Sequence, residues 1–215
     1  MIKLDIFSDP ICPWCFIGKT HLDRALESRS NHPFMIEWHP FQLNPEMPEG
    51  GMDRRAYLEG KFGGKDNAIK AYMPVAEHAD KAGLKMNLEG IKITPNTINA
   101  HRLIHWAGID GMQTPIVSAL FKAYFNEGRD ISDIDVLADV ADTNGMDAAV
   151  TRKLLLSDAD LDEVRQKDEA ARNIGINSVP TFIVAGQHAV PGAHPPELWQ
   201  RVIDDIEEQL QSDQI

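Results

Sequence analysis

Strand-like patterning in this 215-residue chain concentrates at its two ends, and the stretch between them, 46–173, reads as mainly helical. Residues 2–8 are rich in Ile, Leu and Phe and alternate loosely, as a buried strand does. Pro10 and Pro13 punctuate a turn, and a helix follows with Ile17, Leu22, Ala25 and Leu26 on one face. Met35–His39 reads as a second strand. After Gly175 the pattern returns to strand at Thr181–Val184, turns around Gly186, and resumes at His188–Val190. Pro195-Pro196-Glu197 then opens a terminal helix whose apolar face carries Leu198, Val202, Ile203 and Ile206. The order is β-α-β, a helical block, then β-β-α, an α/β class. Residues 1–45 with 174–215 form one expected domain, and 46–173 an all-α insertion domain.

Inside the insertion, Pro45, Pro48, Gly50 and Gly51 mark a loop. A helix is predicted over 66–82, from Ile69, Tyr72, Met73 and Ala76, with Pro74 as a kink. Thr94-Pro95 reads as an N-cap followed by proline at the first helical position, opening a helix to about Ala107. Further helices are predicted at 113–126, at 133–143 behind a Ser132 cap, at 147–156, and from a Ser157 cap to about 173. A hydrophobic content of 43% suffices for a core without staples. The formal net charge of −12 argues against nucleic acid or an anionic membrane as partner. No run of about 18 apolar residues occurs, so no membrane span is expected, and the acidic start is no secretory signal. These features point to a cytoplasmic protein.

Chemistry concentrates in Cys12-Pro13-Trp14-Cys15, the chain's only two cysteines, where the first strand turns into the first helix. A cysteine there meets unpaired backbone N–H groups and the positive end of the helix dipole, so its thiolate is favoured. A second cysteine one helical turn on can close a disulfide with it. That arrangement suits thiol–disulfide exchange, with Cys12 accessible and acidic as attacker. Cys15 is expected buried under Phe16 and Trp14, titrating higher, as resolving thiol. Two other readings are a pair of inert buried thiols and half of a zinc site. His101 and His105 have i,i+4 spacing for the latter, but no histidine pair is placed like a finger. In a reducing compartment a lone pair is seldom a structural bridge. No metal and no required cofactor are expected.

Val179-Pro180-Thr181 precedes the third strand, where proline is tolerated because a missing N–H costs least there. With the upstream Cys-x-x-Cys, these residues resemble the DsbA-like branch of the thioredoxin superfamily. Asp9-Pro10-x-Cys12-Pro13-Trp14-Cys15-x-x-Gly18, Asn96-Thr97-x-x-Ala100-His101-Arg102-Leu103 and Gly175-x-x-x-Val179-Pro180-Thr181-Phe182 together resemble its FrnE-like cytoplasmic subgroup. That subgroup is similar to the kappa-class glutathione transferases and 2-hydroxychromene-2-carboxylate isomerases. The resemblance implies a thioredoxin fold with a large all-α insertion and a disulfide oxidoreductase or isomerase acting on protein or small-molecule disulfides and thiols. It also implies a cis Pro180 facing the dithiol, with Val179 offering backbone groups to substrate.

The two glutathione-using relatives typically carry serine where Cys12 stands. A glutathione-dependent isomerase or transferase is therefore the alternative, and glutathione stays open as a redox partner. Trp14, Thr181, Asn96 and Arg102 complete the candidate substrate-binding set, although Asn96 and Arg102 equally suit satisfying loop carbonyls. For an acid beneath the resolving cysteine, Asp5 is the nearest candidate, but an active-site turn of the usual length puts Ile6 in that place, and one residue of register flips the side chain to the other face.

Overall fold

In the computed structural model, which describes residues 1–29 and 31–212, the two ends of the chain build one four-stranded mixed sheet. Strand β1 (Ile2–Ser8) runs parallel to β2 (Phe34–Pro40) through helix α1 (Pro13–Glu27). On its other edge β1 pairs antiparallel with β5 (Thr181–Val184), and β5 pairs antiparallel with β6 (His188–Pro191), giving the order β2-β1-β5-β6. As an inner strand β1 is covered on both faces, and Leu4, Asp5, Ile6 and Phe7 are all buried. The terminal helix α9 (Pro196–Ser212) packs along α1 and sends Trp199 against Phe182, edge to face at 4.7 Å.

Between the halves of the sheet lie β3 (Met52–Asp53), α2 (Arg54–Phe62), α3 (Lys65–Lys81) and β4 (Ile93–Thr94). They are followed by α4 (Ile98–Ile109), α5 (Gln113–Phe121), α6 (Ile134–Thr143), α7 (Ala148–Leu155) and α8 (Leu161–Asn173). One continuous core joins sheet residues Leu4, Ile6 and Phe182 to Leu103, Phe121 and Phe125 of the helices. Among the described residues, no helix is long and apolar enough to cross a membrane.

Helix starts differ from expectation wherever tertiary pairing competes with local signals. Thr94 opens no helix: it pairs with Met52 in the β3–β4 ladder, and α4 begins four residues later behind Thr97. Asn96 therefore precedes the helix, its Oδ1 accepting the Ile98 N–H at 3.0 Å. Asp133, not Ser132, caps α6 by accepting from Asp135 N–H. Ser157 closes the end of α7, its hydroxyl donating to Leu154 O, and α8 starts only at Leu161, after Asp160 at φ 56°. The 113–126 segment is α-helical to Phe121 and widens to a π-helical turn over Lys122–Asn126. Helix α3 continues through Pro74. Helix α2 was not foreseen. Asp53 caps it, its carboxylate accepting the Ala56 N–H at 2.9 Å.

Candidate active site

The end of β1 delivers the chain to a tight turn built by Asp9. Its carbonyl accepts the Cys12 N–H at 2.9 Å, and its carboxylate accepts the Ile11 N–H at 3.3 Å and the Leu43 N–H at 2.7 Å. Cys12 is the extended N-cap of α1 (φ −84°, ψ 113°), and Pro13 takes the first helical position, where its missing N–H costs nothing. The Cys12 carbonyl receives the N–H groups of Cys15 and Phe16 at 3.1 and 3.2 Å, closing the first turn over the two thiols. Both cysteines are free thiols. The Cys12 Sγ donates to the carbonyl of Val179 at 3.6 Å, across a separation of 167 residues.

The Val179–Pro180 peptide is cis, and the Pro180 carbonyl accepts the Gly192 N–H at 2.7 Å. Pro180 lies against α1 at Gly18, where a Cβ would meet Pro180 Cγ at 3.1 Å and the backbone of Ala193 at 3.3 Å. Only a glycine lets the Pro180 loop approach this closely without displacement.

Accessibility corrects one expectation. Cys12 is only 3% exposed, because walls from α2, α3 and the 177–179 segment rise around it. It forms part of the lining of a cleft of about 370 Å³, together with Trp14, Val179 and, from α2, Arg54, Tyr57 and Lys61. Trp14 is half-buried, set edge-on to His78 at 5.1 Å. Cys15 is 1% exposed. Burial pushes its thiol well above the usual cysteine range, the neighbouring Cys12 adds to the rise, and Ser8's hydroxyl and the Asp9 N–H oppose it. Among the described residues, the Ser8 Oγ has no other hydrogen-bond partner.

The expected site residues divide. Cys12, Trp14 and Val179 meet at the cleft, with Cys15 behind and Pro180 beneath α1. Thr181 is buried, its hydroxyl donating to Ser178 O at 2.8 Å. Asn96 is engaged in tethering loops: its Nδ2 donates to Met47 O at 2.6 Å, and its Oδ1 accepts from Gln42 Nε2 at 3.1 Å. Arg102 is 2% exposed and donates to the carbonyls of Leu154, Leu155, Ser157 and Ala159. Those bonds tie α4 to the α7–α8 connection. None of these three lines the cleft. Asp5 also moves away from the role considered for it. Its carboxylate holds His39 Nε2 at 2.6 Å and Lys3 Nζ at 2.8 Å, and Ile6 is core.

Pattern reading missed Asp9 as more than a motif letter and missed the cations of α2. Arg54 is 7% exposed, and its guanidinium donates to the hydroxyls of Tyr124 (3.0 Å) and Tyr72 (3.2 Å); among the described residues these are its only side-chain hydrogen bonds. Lys61 Nζ donates to Tyr57 Oη at 2.8 Å. The cleft of this strongly acidic chain thus carries a local positive charge. Among the described residues, two groups have metal-ligand spacing, Asp5/Glu37/His39 and His105/Asp160/Glu163, and neither includes a cysteine. Lys3 already bridges Asp5 and Glu37 in the first, at 2.8 Å to each.

Comparison with known proteins agrees with this geometry. The chain is 28% identical to the uncharacterized protein YwbO of Bacillus subtilis (strain 168), over 95% of this chain and 96% of that one. Its structure resembles the probable DsbA oxidoreductase SCO1869 from Streptomyces coelicolor with a TM-score of 0.85 and 26% identity, over 95% of this chain and 89% of the other. It shares its fold with the cytosolic disulfide reductase DsbM from Pseudomonas aeruginosa, solved with GSH (TM-score 0.66, 16% identity, 97% and 99% covered). The model of the DSBA-like thioredoxin domain matches residues 3–204, so the sheet, the Cys12 turn and the Pro180 loop are those of a DSBA-like thioredoxin family member, and the chain belongs to that family.

Proposed function

We propose that the protein is a thiol–disulfide oxidoreductase in which Cys12 attacks and Cys15 resolves. One observation carries the reading: of two reduced thiols on the first turn of α1, Cys12 faces a cleft while Cys15 lies behind it, held as a thiol by burial. The Cys12 thiolate attacks one sulfur of a disulfide; that S–S bond breaks, and the departing thiolate takes up a proton. Cys15 then loses its proton and attacks the Cys12 sulfur, releasing the second thiol and leaving a Cys12–Cys15 disulfide two electrons more oxidised. The reverse sequence oxidises a dithiol. No cofactor is required, since the dithiol carries the electrons. The lone cysteine pair fits a reducing compartment, the cytoplasm.

The cleft also fits a small anionic disulfide. Arg54 and Lys61 line the same cleft as Cys12, and among the described residues the Arg54 guanidinium hydrogen-bonds only phenols, with no carboxylate paired to it. Glutathione, with its carboxylates, is the redox partner this arrangement favours. A dedicated glutathione isomerase or transferase has no use for Cys15, which speaks for exchange instead.

The test uses mass spectrometry. Cys15→Ser exposed to oxidised glutathione is expected to gain a single stable adduct at Cys12, because nothing resolves it. Cys12→Ser is expected to gain none and to reduce no insulin. An adduct on Cys12→Ser alone would reverse the assignment of attacker and resolver.

A further inference from the structure

Behind the Cys12 turn, on the side away from the cleft, sits a closed group of ionisable side chains that the exchange chemistry above does not use. Asp9 is fully buried, and His101, from α4, is 3% exposed, its Nε2 without a hydrogen-bond partner among the described residues. That nitrogen lies 3.8 Å from Asp9 Oδ1. An unpartnered buried imidazole nitrogen is costly, and its persistence beside a buried carboxylate calls for a reason. We infer that Asp9 and His101 form a proton-sharing pair that positions the Cys12 turn, trading its proton with water through the His101 side.

Asp9 touches the turn twice, through its carbonyl to Cys12 N–H and through Oδ1 to Ile11 N–H, and its Oδ2 ties the turn to the segment after β2 at Leu43 N–H. An ionised carboxylate is a strong acceptor for both amides. A protonated one is weaker and brings an O–H that needs an acceptor; the bare Nε2 of His101, 3.8 Å from Oδ1, would become that acceptor on an approach of under one ångström. The proton state of the pair therefore sets how firmly the turn is held and how the Cys12 sulfur sits against Val179 O. His101 also borders a second cavity of about 510 Å³, between β2, α4, α5 and α8, which shares no lining residue with the cleft and provides the route to water.

The surroundings place this exchange near neutral pH. Burial pushes the Asp9 carboxyl up to about 7, against the pull of the Leu43 and Ile11 amides and the Thr97 hydroxyl, and the charge of Asp168 adds to the rise. Burial pushes His101 down to about 4, with Asp168 opposing. Asp168, from α8, is itself held by Arg172 and by the Gln42 N–H. Tyr124, beside Arg54, lies within electrostatic range of Asp9. On the cavity side, the other titratable side chains of the lining are Glu37, His39, His105 and Lys167.

The inference rests on Cys12 being the attacking thiol, but its test does not need turnover. Infrared difference spectra of the reduced protein are expected to show a protonated carboxyl band that titrates near neutral pH. The Cys12 alkylation rate should show an extra inflection at the same pH, besides the thiolate's own. Asp9→Asn should lose both features. His101→Gln should displace both by about half a pH unit or more, because a glutamine amide can donate to the carboxylate. A wild-type protein with no such band, a His101→Gln midpoint equal to the wild type, or an alkylation profile without the inflection overturns the pair. Should Asp9→Asn fail to fold, the His101→Gln midpoint decides. Failure of insulin reduction with the inflection intact would instead sink the oxidoreductase reading and leave the pair standing.

Discussion

The two sides of the Cys12 turn are built to opposite specifications. Towards the cleft stand Arg54, Lys61, Tyr57 and Trp14, cationic and aromatic, around a space of about 370 Å³. On the other side stand Asp9, His101 and Asp168, acidic and imidazole groups buried below one-tenth exposure. A reactive thiol needs both. Its partner must reach it through a cleft that tolerates charge, while the backbone carrying it must stay fixed to a few tenths of an ångström. The side facing substrate is assembled from distant sequence, α2 and the Pro180 loop. The supporting side starts from Asp9, three residues before Cys12.

The largest expected effect comes from breaking the supporting side and reading stability against pH. The raised Asp9 means that the folded state binds its proton more tightly than the unfolded chain. Its contribution is full below 3.8 and lost as pH rises to about 7. The lowered His101 has the opposite sign. Its contribution is full above 6.5 and lost as pH falls towards about 4. Across most of that window the two slopes cancel, so the intact pair hides its own cost. In urea unfolding, Asp9→Asn is expected to gain stability relative to wild type as pH rises from about 4 to 6.5, on the order of 3 kcal/mol in total. His101→Gln should lose stability over the same range, by a similar amount. Parallel pH curves for both variants and wild type would show that the two groups are not linked to folding.

Breaking the cleft side instead should cost recognition. Arg54→Met removes the buried guanidinium, and exchange with oxidised glutathione is expected to slow by about tenfold, the loss of one charge-assisted contact. Hydroxyethyl disulfide, which is neutral, should change by no more than about twofold. Arg54→Lys should recover part of the difference, since it restores the charge without the fork to both phenols. Equal losses for the two disulfides would mean that Arg54 holds Tyr72 and Tyr124 in place and does not read ligand charge.

The same contrast explains what the sequence disclosed. Strand β1 and helix α9 were legible because their apolar residues face one core and repeat with the period of the element. Cys12, Cys15 and Val179-Pro180 were legible because each is a local signal. Helix α2 was not: its one buried residue is Arg54, so no apolar stripe announces it, and the cleft's cations stayed hidden with it. The burial of Cys12 was equally invisible, since its walls come from residues 54–75 and 177–179. Thr94 misled because its pairing with Met52 is tertiary, and a Thr-Pro dipeptide reads the same whether a strand or a helix follows. Polarity in a buried setting suited Asn96 and Arg102 to satisfying loop carbonyls as well as to touching substrate, and their partners are loop oxygens. Asp9 stood in view beside the cysteines. Its part was unreadable because His101 and Leu43 reach it only in the folded chain.

The smallest expected effect tests whether the two sides communicate through α1. Gly18 sits one turn beyond Cys15, where α1 meets the Pro180 loop, and Gly18→Ala adds one methyl there. Helix propensity alone would make the change stabilising by about 1 kcal/mol. The methyl, however, would stand 3.1 Å from Pro180 Cγ and 3.3 Å from the Ala193 backbone, closer than relaxed packing allows. Ala193 cannot rotate away as a flexible side chain would, so the Pro180 loop must give by a few tenths of an ångström. The two contributions should nearly cancel in stability, leaving a net change within about 1 kcal/mol of zero. Exchange should be the more sensitive readout, because the displaced loop carries Val179 O, the Cys12 Sγ contact, with it. A two- to threefold slowing of insulin reduction, roughly 0.5 kcal/mol, with an unchanged pH profile of Cys12 alkylation, is the expected outcome. A shifted alkylation profile would mean that the Pro180 loop and the Asp9 pair act on Cys12 together, and the division of the turn into independent sides would fail.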